Sequence, residues 1–193
     1  MKGVFLKQFL KNPTSIGAIC PSSKALAREI TSKVELKSAL NIAELGPGTG
    51  VFTDAILSLK HPKAKFFSVE LNENMFNLMQ KRFGDHNGVT VFNDSATNLK
   101  NMRNELMMEK LDVIVSGLPW ASFPESLQDS LLEAIFNNLH DEGYFATFAY
   151  VQGMLLPAAQ KFKKKLKQHF SEVEKSKVVW KNTPPAFVYR CRK

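Results

Sequence analysis

Glu44, the glycines of Gly46-Pro47-Gly48-Thr49-Gly50, and Glu70 are the residues whose types and spacing most directly imply chemistry. The glycines follow a short apolar run, Ile42-Ala43-Glu44-Leu45, and precede a helical stretch from about Val51 to Leu59. Such a strand-turn-helix lets backbone approach a ligand with no Cβ in the way. The Gly-x-Gly-x-Gly spacing differs from the dinucleotide fingerprint, whose third glycine stands three positions after the second. Glu70 closes the next predicted strand, Ala64 to Val69, twenty positions beyond Gly50. In nucleoside-binding βαβ units an acidic residue there accepts hydrogen bonds from both ribose hydroxyls. The bland alternative is an ordinary glycine-rich turn with a solvent-exposed glutamate at a strand end.

The elements that must hold these residues alternate strand and helix. A helix is expected over Glu73 to Phe83, stopped by Gly84, then a strand over Gly88 to Phe92 that ends in Asn93-Asp94-Ser95. The β-branched run Leu111 to Val115 leads into Ser116-Gly117-Leu118-Pro119-Trp120. Open α/β sheets bind ligands at the carboxyl ends of their strands, which is where Asp94, Ser116, Gly117 and Trp120 fall. Phe123-Pro124 opens a helix with Leu127, Leu131, Ile135 and Leu139 at four-residue spacing, and Gly143 marks its expected end. A fifth strand spans Tyr144 to Tyr150, and a basic amphipathic helix covers about Ala158 to Phe170, with Phe162, Leu166 and Phe170 opposite a lysine-rich face. Val173 to Trp180 and Phe187 to Cys191 read as two final strands. Near the start, Ser22 or Ser23 caps a helix from Lys24 to Lys33.

A length of 193 residues fits one domain, 1–193, with a substantial core. The net charge of +8 points to an anionic partner, nucleic acid or an acidic membrane surface, and does not choose between them. Cys20 and Cys191 lack metal-ligand spacing, so no metal site and a reducing compartment are expected, with Cys20 simply packed. No apolar run reaches the roughly 18–20 residues needed to span a bilayer, and Lys7 interrupts any signal-peptide core, which together give a cytoplasmic expectation. Residues 1–11 place Phe5, Leu6, Phe9 and Leu10 on one helical arc against Lys7, Gln8 and Lys11, ended by Asn12-Pro13. That pattern suits either an interfacial membrane helix or a helix packed on its own domain.

Glu44 with Gly46-x-Gly48-x-Gly50 resembles motif I of class I methyltransferases that use S-adenosylmethionine (AdoMet), and Ser116-Gly117-Leu118-Pro119-Trp120 resembles motif IV of amino-methylating enzymes. Gly117 stands where ribosomal RNA adenine dimethyltransferases carry Asn or Asp, the side chain that helps hold a planar adenine amine. Together with Gly17-Ala18-Ile19-Cys20-Pro21-Ser22-Ser23 and Pro184-Pro185-Ala186-Phe187-Val188, these stretches make nearly the whole chain similar to bacterial phospholipid N-methyltransferases of the small soluble type. The resemblance implies a class I, Rossmann-like fold: a seven-stranded, mostly parallel sheet with helices on both faces, plus an N-terminal amphipathic helix. It implies Glu44, Gly46, Gly48, Gly50, Glu70, Leu71, Asp94 and Ser95 as cofactor-binding residues, with Asp94 at the adenine amino group.

The implied reaction is transfer of methyl groups from AdoMet to the headgroup amine of phosphatidylethanolamine, giving mono-, di- and trimethylated lipid, with ornithine lipids as a related substrate. Direct displacement asks the protein mainly to align donor and free-base amine and to exclude water. Ser116, Gly117, Trp120 and Tyr150 are the expected acceptor-side residues, with Ser116 or Tyr150 as proton routes and Trp120, Phe123 and Tyr150 as cation–π partners for methylated ammonium; core packing is the competing use of these aromatics. Residues 1–33 would dock the enzyme on the inner face of the membrane and lid the pocket, through Phe5, Phe9 and the lysine-rich faces, with no nucleic acid or obligate protein partner. The alternatives are an RNA adenine methyltransferase, with Trp120 stacking a flipped base, a small-molecule amine methyltransferase, and a non-catalytic AdoMet- or lipid-binding module.

Overall fold

The computed structural model describes residues 21–84 and 88–193. The expected N-terminal helix of residues 1–11, its Asn12-Pro13 stop, the packing of Cys20, and most of the proposed docking segment fall outside the described residues.

Seven strands form one sheet: β1 (Asn41–Leu45), β2 (Lys65–Val69), β3 (Thr90–Phe92), β4 (Leu111–Ser116), β5 (Leu139–Tyr150), β6 (Glu172–Lys175) and β7 (Ala186–Arg192), in the order β3-β2-β1-β4-β5-β7-β6. The first five pair in parallel, and β7 runs antiparallel to both β5 and β6. The helices are α1 (Lys24–Ile30), α2 (Val51–Leu59), α3 (Glu73–Phe83), α4 (Leu99–Glu105), α5 (Glu125–Asn138) and α6 (Pro157–His169). Parallel strands buried on both faces need apolar residues at nearly every position, and in β1 everything from Ile42 to Leu45 is buried.

Alternation along β1 divides the core. Ile42 joins Leu26, Ile30, Phe52, Ile56, Met79 and Phe83, the buried stripe of α1, α2 and α3. Ala43 and Leu45 point the other way, into Leu99, Leu131, Ile135, Phe162 and Leu166 from α4, α5 and α6. The result is the three-layer α/β arrangement expected from the sequence. Its strand order reverses direction between β1 and β4, which makes the carboxyl edge of those two strands the place for a ligand crevice.

The segment after α5 departs from expectation. The helix ends at Asn138 and not at Gly143, and Leu139 is already strand, paired with Leu111. The ladder then slips to Val113 opposite Tyr144, so residues 140–143 form a bulge, with Glu142 at φ 69°. Gly143 belongs to that bulge: a Cβ there would lie 2.8 Å from the His140 carbonyl oxygen. Near the C-terminus β6 stops at Lys175, leaving Trp180 exposed on a loop tied to the sheet by Ser176, whose amide donates to the Val188 carbonyl, and by the bridge Val179 to Ala186. α4 and its preceding 3₁₀ turn, Ala96–Asn98, had no sequence expectation. At α1, Ser23 and not Ser22 is the cap, its Oγ accepting from the Leu26 amide at 3.1 Å, and the helix closes at Ile30.

Candidate active site

A cavity of about 780 Å³ opens along the carboxyl ends of β1, β2, β4 and β5. Its size is that of pockets that enclose a drug-sized ligand. Gly46, Gly48, Glu70, Leu71, Asp94, Gly117, Trp120 and Tyr150 all line it. Glu44, Gly50, Ser95 and Ser116 do not; they stand behind the wall.

The glycine turn explains itself position by position. Gly48 has φ 54°, and a Cβ on it would meet nothing within 4 Å, so its backbone borders open cavity. Gly50 also has left-handed geometry, φ 84°, but its missing Cβ makes room for the Phe83 ring, which would lie 2.5 Å away. It therefore serves the packing of α2 on α3. Gly117 lacks a Cβ for a third reason: one built there would fall 2.4 Å from the Gly46 carbonyl oxygen. Motifs I and IV touch backbone to backbone at that point, reinforced by the Gly117 amide donating to the Leu45 carbonyl at 2.8 Å.

Glu70 is nearly buried at the end of β2. Its carboxylate accepts from the Asn72 amide at 2.9 Å and the Gly48 amide at 3.3 Å. Burial raises its pKa, and those amides oppose the rise. Asp94 accepts from the Ser95 amide and from Asn98 Nδ2 through one oxygen, Oδ1, at 2.6 and 2.9 Å. The Ser95 amide is thereby turned toward Asp94, while its hydroxyl accepts from the Thr97 amide at 3.2 Å.

Glu44 lies under the turn, fully buried, with Oε2 accepting from Thr53 Oγ1 at 2.6 Å. Oε1 has no hydrogen-bond partner among the described residues. Desolvation pushes its pKa up to about 8, despite the Thr53 hydroxyl.

The other wall is aromatic. Trp120 is 2% exposed and stacks on Phe162 of α6, with centroids 4.6 Å apart and planes 16° apart. Phe123 and Phe145 meet its ring edge-on. Its indole Nε1 donates to Ser116 Oγ at 3.2 Å, so the fully buried Ser116 hydroxyl orients Trp120. Gln128 holds the turn from beneath, donating to the Trp120 carbonyl at 2.8 Å. Tyr150 sits at the end of β5 with its ring edge-on to Phe148. Helical periodicity places Phe162 on one face with Leu166 and Phe170, where it is buried, but gives no sign that α6 supplies Ala159, Gln160 and Lys163 to the cavity, with Leu156 just before it. That assignment depends on where α6 crosses the sheet edge.

The ribosomal RNA adenine dimethylase family matches residues 7–180. The chain belongs to that family. It is similar to an ornithine lipid N-methyltransferase of Singulisphaera acidiphila, 29% identical over 98% of this chain and 94% of the relative. It is also similar to a ribosomal RNA small subunit methyltransferase A of a Hydrogenobaculum strain, 26% identical over 61% of this chain and 43% of that longer protein. Among solved structures, the N-methyltransferase NodS of Bradyrhizobium japonicum superposes with a TM-score of 0.63 at 13% identity, over 88% of this chain and 92% of that one. Aeropyrum pernix fibrillarin, solved with natively bound AdoMet, superposes with a TM-score of 0.65 at 15% identity, over 86% and 72% of the two chains. The fold is that of the class I methyltransferases, and AdoMet is the cofactor to which these relatives point.

The cavity fits that cofactor. The open face of Gly48, the strand-end carboxylate of Glu70 and the Oδ2 atom of Asp94 are the groups a nucleoside needs on one wall, and the unpaired Glu44 Oε1 lies below the turn.

Proposed function

We propose that this protein N-methylates the headgroup amine of an anionic or zwitterionic membrane lipid at the bilayer surface, with phosphatidylethanolamine and ornithine lipid as its candidate substrates. The carrying observation is the full-length match to an ornithine lipid N-methyltransferase, which spans both chains almost end to end. The RNA enzyme, in contrast, aligns over less than half of its length.

In this reading Glu70 accepts from the ribose hydroxyls, Asp94 Oδ2 accepts from the adenine amino group, and Leu71 packs on the nucleoside. Gly46 and Gly48 give the amino-acid portion of the cofactor close access to backbone, while Glu44, Gly50 and Ser95 hold the turn and the Asp94 loop in place. Bound AdoMet supplies an electrophilic methyl group. The protein's part is orientation and exclusion of water. Gly117 keeps motif IV tight against motif I and leaves its carbonyl as an acceptor for the incoming amine. Tyr150, the more exposed ring of this wall, offers aromatic surface to an ammonium that gains methyl groups, backed by the buried Trp120 and Phe123, and Ser116 fixes the indole.

No helix among the described residues is long and apolar enough to cross a membrane, so access to a lipid amine calls for surface docking. The amphipathic pattern of residues 1–11 supports that role. Phe9→Asp is expected to remove binding to anionic liposomes while AdoMet affinity stays within about twofold, as read by co-sedimentation and calorimetry.

Methylation of RNA adenine is the second reading, favoured by the family match. Against it stands Trp120, whose face is already covered by Phe162 and is closed to a flipped base. The deciding experiment incubates the protein with methyl-labelled AdoMet and liposomes containing phosphatidylethanolamine or ornithine lipid, beside ribosomal RNA. Label in extracted lipid is the expected result; label in RNA alone overturns it.

A further inference from the structure

The charged residues of the cavity wall are segregated. Glu70 and Asp94 lie at the ends of β2 and β3, and the one cation on the described wall, Lys163, comes from α6 at the far side of the β1–β4 seam. Five lysines crowd this helix, and their partners differ. Lys161 bonds Glu125 at 2.9 Å, and the nearly buried Lys165 reaches the Glu125 carbonyl at 3.1 Å and pairs with Asp129. Lys164 and Lys167 are exposed and off the cavity. Lys163 is half-buried, lines the cavity, and has no carboxylate partner among the described residues. Its neighbour Phe162 is stacked on Trp120, which fixes the helix at this point against the acceptor wall.

A cation kept unpaired inside a cavity is a site for an anion. The cofactor's nucleoside belongs to the opposite wall and, in the reading above, its amino-acid carboxylate to the Gly46–Gly48 turn, so the anion comes with the acceptor. We infer that Lys163 binds the anionic group that lies a few bonds from the reactive amine of the acceptor, the phosphate of an ethanolamine phospholipid or the carboxylate of an ornithine lipid. This rests on the lipid-amine reading above and names the feature of the headgroup that the enzyme selects. Lys163 is thus a specificity-determining residue: it holds the headgroup by its anion and leaves the amine beside Gly117 and Trp120.

The test compares two amines carried in phosphatidylcholine vesicles: phosphatidylethanolamine, which has the anion, and hexadecylamine, which lacks it. Wild type should show a KM for phosphatidylethanolamine about tenfold or more below that for hexadecylamine, the size of effect expected for one charge-assisted hydrogen bond. In Lys163→Met that ratio should collapse toward one, with the AdoMet dissociation constant unchanged, and Lys163→Arg should restore most of it. Substituting ornithine lipid tells carboxylate from phosphate recognition. Three outcomes overturn the assignment: equal change on both amines, an equal loss in the exposed-site control Lys164→Met, which would indicate general surface charge, or a matching rise in the AdoMet dissociation constant, which would give Lys163 to the cofactor. Wild type that labels neither amine nor ornithine lipid defeats the lipid reading itself, and is distinguishable from these because the failure precedes any substitution.

Discussion

On the β2–β3 side of the cavity the wall is made of backbone and carboxylates: Gly48, Glu70 and Asp94, each placed by a turn immediately after a strand. On the β4–β5 side it is carbon: Trp120 and Phe123 from the turn after β4, Phe148 and Tyr150 from β5, and Phe162 from α6. The first wall suits a ligand of fixed shape with donors in known places. The second suits an amine that changes in size and hydrophobicity as methyl groups accumulate, where directional hydrogen bonds would be lost one by one. The two meet at the seam, where Gly46 and Gly117 are in backbone contact.

Damage to the seam should therefore harm both walls, and it is expected to be the most severe change. Gly117→Ala puts a Cβ at 2.4 Å from the Gly46 oxygen and forces the motifs apart. Loss of methyl transfer by about a hundredfold or more, together with weakened AdoMet binding, is the expected outcome; calorimetry showing intact cofactor affinity would mean that the seam yields on the acceptor side alone.

Glu44 tests the buried support of the polar wall through pH. Its carboxyl titrates near 8 in the folded protein against an ordinary value of 4.5, so the folded state holds a proton that the unfolded state releases. The associated stability is fully present below about pH 4.5 and is lost as pH rises through about 8. Without cofactor, wild type should lose stability relative to Glu44→Gln across that window in denaturant titrations, and parallel pH profiles for the two proteins would contradict the assignment.

Phe162→Ala addresses the carbon wall. Removing a stacked, buried ring should cost about 3–5 kcal/mol of stability and raise the acceptor KM, with AdoMet affinity held within about twofold. Glu70→Gln is the mirror experiment and the mildest of the four. It keeps the shape and removes the charge, so AdoMet binding should weaken by roughly tenfold while acceptor KM stays put. If either substitution moves both constants together, the division into two walls is wrong.

The polar wall was legible in the sequence because its residues are local: each follows its strand within a few positions, so strand prediction and motif spacing place Gly48, Glu70 and Asp94 at one edge. The carbon wall was legible only in part. Trp120 follows β4 by four residues and Tyr150 ends β5, and both could be found that way, whereas Phe162 and Lys163 reach the cavity because α6 crosses back over the edge, a tertiary fact with no trace in helical periodicity. Ser95 and Ser116 show the converse. Both stand behind the cavity wall and do not line it, and their hydroxyls are committed to Thr97 and to the Trp120 indole. Gly143 misled for another reason, since a glycine after a helix and a glycine inside a strand bulge look alike in sequence and differ only in pairing.

The attachment of α6 has an evolutionary consequence. The helix joins the acceptor wall through one aromatic stack and is tied to α5 by Lys161 and Lys165, yet it supplies nothing to the glycine turn or to the two nucleoside-side carboxylates. On the function proposed above, mutations along its cavity face would retune which amine is accepted without disturbing the donor. A lineage that began with one acceptor could acquire another by drift in a single surface helix.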